Sequence, residues 1–165
     1  MSQIKQFRKE LEREAVITRK MLSIVPAAKF DWQPHPKSMT MRNLSTHIAE
    51  LPSWIDMVLT TSELDFAANP YTPAAIDDTK ALVDYFEKNL DTGRKALETG
   101  NEESLGETWT LRNGQDIYSQ EPKLDVIRMS MNQITHHRAQ LGVYLRLLDI
   151  PIPGSYGPSA DDMSF

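Results

Sequence analysis

Apolar side chains recur at steps of three and four along four stretches of the chain, the signature of helices with one buried face. In the first stretch Ile4, Phe7, Leu11, Ala15, Thr18, Leu22 and Val25 share a face, and Pro26 ends it. Residues 29–38 contain Pro34 and Pro36 and read as an extended loop. Ser38 or Thr40 can cap a second helix, whose apolar face carries Leu44, Ile48, Leu51, Ile55 and Val58. Pro52 lies inside that pattern, removes one backbone hydrogen bond and predicts a kink near His47 and Ile48. A loop around Asn69 and Pro73 precedes a third helix, expected from about residue 74 to residue 97 on the markers Ile76, Val83, Phe86, Leu90 and Leu97.

A different period follows. Trp109-Thr110-Leu111-Arg112, then Asn113-Gly114, then Gln115-Asp116-Ile117-Tyr118 reads as a β-hairpin, because Asn-Gly accepts the two positive φ angles of a type I′ turn. Pro122 suits the first turn of the last helix, whose stripe is Leu124, Ile127, Met131, Ile134, Leu141, Leu145 and Leu148. Pro151 and Pro153 stop it and leave a tail rich in Gly, Pro and Ser. The expectation is an all-α four-helix bundle in one domain, residues 1–165, with a small β-hairpin before the last helix.

Composition narrows the function classes. With 40% hydrophobic and 25% charged residues the 165-residue chain has ordinary globular values and enough length for a substantial core. A net charge of −5 has the wrong sign for docking on phosphates through a broad basic surface, so a nucleic-acid partner is not expected. No apolar run approaches the roughly 20 residues that span a bilayer. The opening MSQIKQFRKELERE reads as a charged helix and not as a signal peptide, so a cytoplasmic protein is expected. The absence of cysteine removes disulfides, zinc-thiolate sites and a protein thiol nucleophile. No Gly-rich phosphate loop, GxSxG elbow or HExxH motif is present, against nucleotide hydrolysis, serine-esterase chemistry and zincin proteolysis.

Three of the four histidines fall at two helical positions, His47 in the second helix and His136-His137 in the last. Imidazole binds transition metals and titrates near neutrality, so such clustering marks a metal or acid/base site. His47 lies between Leu44 and Leu51 and faces the interior. His137 flanks the buried stripe, with Gln133 one turn earlier on the same face. Two readings stay open on spacing alone: a metal site, or polar side chains satisfying one another inside a bundle. His136 points about 100° away from His137 and belongs to solvent, a partner helix or a loop. His35 reads as surface, Trp32, Trp54 and Trp109 as core or loop anchors, and Met129 and Met131 as adaptable core filler. Glu14 and Arg138 stand on apolar stripes, where a desolvated charge needs a partner. They are expected to meet, unless Arg138 projects into a subunit interface.

Four segments carry a family resemblance. Asp31-Trp32-Gln33-Pro34-His35-Pro36-Lys37-Ser38-Met39 with Leu44-Ser45-Thr46-His47-Ile48-Ala49-Glu50-Leu51-Pro52 resembles the start of the second helix in DinB/YfiT-like proteins. His136-His137-Arg138-Ala139-Gln140-Leu141-Gly142-Val143-Tyr144-Leu145-Arg146 is similar to that family's fourth-helix motif, and the tail from Pro151 to Asp161 matches one of its branches. The resemblance implies a bundle in which one histidine of the second helix and two of the fourth, four residues apart, bind a divalent metal (nickel, zinc, manganese or iron). Here His47 and His137 match two of those ligands and Gln133 stands at the third, a neutral amide that binds such metals more weakly than imidazole.

The resemblance also implies a metal-dependent enzyme, such as a thiol-dependent S-transferase using a small-molecule thiol; in such an enzyme Glu50 or His136 is a candidate for handling protons. The alternative it leaves is a non-catalytic stress-response or ligand-binding bundle with a degenerate metal site. A homodimer pairing through bundle faces is a further expectation of the resemblance.

Overall fold

Ser2 caps the first helix by accepting the Lys5 amide, and α1 (Gln3–Ser23) buries Ile4, Phe7, Leu11, Ala15, Thr18 and Leu22, the predicted stripe. The structure, a computed structural model, describes residues 2–163. Thr40 caps α2 (Met41–Glu50), its side chain accepting the Asn43 amide. A 3₁₀ turn over Leu51–Ser53 joins α2 to α3 (Trp54–Thr60), so the second rod is one helix broken in its middle. The break lies at Pro52 itself and not near His47 and Ile48, because the Leu51 amide still reaches the His47 carbonyl. Winding tightens only where the proline nitrogen has no hydrogen to give.

Helix α4 (Thr79–Thr99) starts five residues later than the predicted residue 74. Asp78 accepts the Ala81 amide and so fixes the start, because its carboxylate satisfies a donor that an earlier start would leave unmet. Ile76, which suggested the longer helix, is buried in a non-helical approach whose carbonyl accepts from Arg42. Helix α5 (Lys123–Leu147) begins one residue after Pro122 and buries Ile127, Met131, Ile134, Leu141 and Leu145.

The hairpin is present and carries a third strand that the sequence did not reveal. Strands β1 (Glu63–Asp65), β2 (Thr108–Asn113) and β3 (Asp116–Pro122) lie in that order, β1 parallel and β3 antiparallel to β2. Asn113 pairs with Asp116 as the last rung, leaving Gly114 and Gln115 as the turn. Gly114 has φ 59°, whereas Asn113 does not take a positive φ. That is the glycine-first pattern of a type II′ turn, and it corrects the expected type I′. The Asp65 carboxylate accepts the amides of Gly114 and Ala67, each at 2.9 Å, and these bonds hold its pKa below the ordinary carboxylate range.

Helix α1 and the broken α2–α3 rod stand at opposite corners of the bundle, each packed on both α4 and α5. Gly93 on α4 makes the tightest of these approaches, since a side chain there would run into the Pro52 carbonyl oxygen. No helix among the described residues is long and apolar enough to cross a membrane.

The two stripe charges meet as expected. Arg138 Nη1 lies 2.7 Å from Glu14 Oε2, with 3% of Arg138 and 7% of Glu14 exposed. Arg138 also donates to Thr18 Oγ1 at 3.0 Å and to the Tyr156 hydroxyl, which in turn donates to Glu14 Oε1 at 2.9 Å. The tail therefore closes over the pair, and the alternative in which Arg138 reaches into a subunit interface is not needed. Removing one partner strands the other charge in the interior, so Arg138→Ala is expected to cost about 3–5 kcal/mol. Thermal melts check this: a loss of roughly 6–20 °C is expected, and a shift under about 2 °C would mean that the pair is effectively solvated.

Candidate functional site

Helices α2 and α5 lie side by side, and their contact brings the His47 and His137 rings to a 4.8 Å centroid separation at 73° to one another. His47 Nδ1 is 2.6 Å from Glu50 Oε1, three residues on along α2. A carboxylate accepts hydrogen bonds, so Nδ1 donates to Glu50 and Nε2 is the ring nitrogen left for the other side. That nitrogen faces Gln133 Oε1 across 3.4 Å, too far for a strong hydrogen bond. His137 is set the same way. Its Nδ1 lies 2.9 Å from Gln140 Oε1 and donates there, which leaves Nε2 as its lone-pair nitrogen.

Burial pushes the His137 pKa below the ordinary 6.5, and the nearby His47 and His136 rings push it the same way against the Gln140 bond. The imidazole is therefore neutral at neutral pH, which is its ligand form. Glu50 is 7% exposed, and the Tyr71 hydroxyl reaches both its oxygens at 3.1 Å. Burial, and after it the Glu50 carboxylate, raises the Tyr71 pKa far above that of a free phenol, so Tyr71 is a fixed hydrogen-bond donor. Tyr85 is shifted upward by the same two causes in the same order. The result is a chain of contacts from Tyr71 through Glu50 to the His47 ring.

The three residues singled out in the sequence, His47, Gln133 and His137, thus stand together. His136 is exposed on the outer side, its ring 4.8 Å from that of His137, and His35 is exposed in its loop with Nδ1 accepting the Lys37 amide. Trp109 is a buried anchor whose indole N–H donates to Thr61, and Trp32 packs edge-on against Tyr144. Trp54 departs from the anchor expectation: it is half-buried, lines a cavity with His47 and Glu50, and sits edge-on to the His47 ring. Sequence reasoning missed Tyr71 and Gln140. Gln140 follows His137 by three residues, a helical spacing that could have flagged it. Tyr71 lies in an irregular loop and gave no signal.

Among the described residues, no three His, Cys, Asp or Glu side chains are grouped to hold a metal. The donor set here is two imidazoles and an amide oxygen. Its spacing can still be tested for fit. Bonds of about 2.0–2.1 Å at a tetrahedral angle separate two ligand atoms by about 3.4 Å, and His47 Nε2 and Gln133 Oε1 are 3.4 Å apart. At that distance a cation can take the place of the proton between them. The carboxylate behind His47 is the usual outer support of a ligating imidazole.

The fold is a four-helix bundle, and the comparisons agree with that fold. A sequence model of the DinB family matches residues 1–164, and the chain belongs to that family. Among solved structures, a DinB-like protein from Bacillus cereus ATCC 10987 is similar at TM-score 0.71 and 21% identity, over 94% of this chain and 100% of that one. The DinB-like YjoA of Bacillus subtilis is similar at 0.69 and 16%, over 91% and 96%. A mycothiol-dependent maleylpyruvate isomerase is similar at 0.57 and 15%, over 84% of this chain and 60% of that one. At these identities the likeness is one of fold. No curated protein matches the chain.

The hydrogen bonds fix both tautomers. Nitrogen-15 spectra of metal-free protein at pH 8 are expected to show His47 and His137 protonated on Nδ1. A proton on Nε2 of either ring would contradict the orientation given to that histidine.

Proposed function

We propose that the chain is a metal-dependent enzyme that joins a low-molecular-weight thiol to an electrophile. One observation carries this reading: His47 Nε2 and Gln133 Oε1 face each other at a ligand-pair distance, with His137 alongside. His47, Gln133 and His137 would hold a divalent ion, nickel, zinc, manganese or iron. Such an ion lowers the pKa of a bound thiol or water, which suits a chain without cysteine. Glu50 keeps the His47 proton on Nδ1, and Tyr71 holds Glu50 in place, so the ring cannot turn its lone pair away. Gln133 weakens the set relative to a third imidazole. The thiol-dependent activity in the name of the structurally similar isomerase supports the choice of a thiol.

Gln133 also favours a second reading, a binding bundle whose metal site has decayed. Turnover separates the two. Protein loaded in turn with nickel, zinc, manganese and iron is expected to consume monochlorobimane with at least one of a panel of small thiols. Gln133→His is expected to raise metal affinity about ten-fold or more. No turnover with any metal, together with no gain on Gln133→His, would point to the non-catalytic bundle.

A further inference from the structure

A cavity of about 310 Å³ opens on the Glu50 side of His47, at the lower end of the range for small-molecule sites. Met39, Trp54, Phe66 and Pro73 give it apolar walls, and Tyr71 stands among them with its hydroxyl on Glu50. Met39 and Tyr71 are exposed and mark its mouth, whereas Trp54 and Phe66 are half-buried. The hairpin backs the Phe66 wall, with Tyr118 tilted against the Phe66 ring at 6.5 Å.

The polar content of this cavity is small and one-sided. Thr46 is 2% exposed and lines it, and the Thr46 hydroxyl has no hydrogen-bond partner. Inside a helix a threonine hydroxyl ordinarily bonds the carbonyl four residues back. Here that carbonyl, of Arg42, takes the Ser45 hydroxyl at 3.1 Å. A buried hydroxyl left unmet is costly, so a turn of the Thr46 side chain that brings this covered oxygen to a ligand acceptor would be favoured. Asn43 adds a side-chain amide at the rim.

Charge then selects among ligands. Among the described residues no lysine or arginine lines the cavity, and Glu50 is its one acidic side chain. An anionic ligand would meet that carboxylate with no cation to balance it. A cationic ligand would have to displace the His47 or Tyr71 bonds that already engage both Glu50 oxygens. We infer that the cavity binds a neutral, aromatic-sized molecule carrying a hydrogen-bond acceptor for Thr46, and that it discriminates against anions of the same shape. For its role it rests on the transferase reading, in which this cavity, sharing His47 with the proposed ligand set, would receive the electrophile.

The test needs neither metal nor thiol. EDTA-treated protein is titrated with 1,3-dinitrobenzene and with its anionic analogue 3,5-dinitrobenzoate while the three indole N–H signals are followed, that of Trp54 being assigned with Trp54→Phe. Saturable shifts of Trp54, with Trp32 and Trp109 unmoved, are expected for the neutral compound, with the anion binding at least about ten-fold more weakly. Thr46→Val keeps the shape of the wall and is expected to weaken dinitrobenzene binding roughly five-fold. Glu50→Gln is expected to narrow the gap between the two ligands. Equal affinities, shifts confined to the other indoles, or unaltered binding by Thr46→Val would overturn the inference. Dinitrobenzene binding without any thiol turnover would refute the transferase reading and leave the cavity standing. Turnover without such binding would do the reverse.

Discussion

Gly93 on α4 has no side chain, and the Pro52 carbonyl occupies the space one would fill. That approach holds the broken rod, α2 and α3 joined at Pro52, against the bundle. Its consequences reach the site. His47 and Glu50 lie on α2 just before the break and Trp54 follows it, and all three line one cavity. His47, Glu50 and Trp54 thus flank the point at which the rod meets α4. A proline in mid-helix, usually a cost of about 3 kcal/mol, here marks the turn at which the site is built.

The interior handles its polar groups in two ways. Between α1 and α5, Glu14 and Arg138 neutralise each other beneath the Tyr156 hydroxyl, a structural pair whose partners are all engaged with one another. Between α2 and α5 the arrangement is open. Glu50 and Gln140 take the Nδ1 protons of the two imidazoles, and His47 Nε2 meets the Gln133 amide oxygen only at 3.4 Å. The first cluster stabilises the fold, and the second is the proposed ligand set.

Much of this was legible in the sequence because it is local. The stripes of α1 and α5 follow from a period of 3.6 residues, and the meeting of Glu14 with Arg138 follows from two charges placed where only a partner could make them tolerable. His47, Gln133 and His137 were found by helical spacing together with family resemblance. The misses are contacts that spacing cannot encode. Strand β1 is three residues long and pairs with residues more than forty positions away. Ile76 keeps its helical spacing although the chain there is not helical, because Asp78 sets the start of α4. Tyr71 reaches Glu50 from a loop with no periodicity at all.

Elemental analysis of protein purified without a metal-affinity tag, beside His47→Ala and His137→Ala, tests most directly the proposal that His47 and His137 together hold a metal ion. Near-stoichiometric metal in the wild type, lost in both variants, is the predicted result. Wild-type protein that is metal-free and also refuses added nickel, zinc and manganese would contradict it.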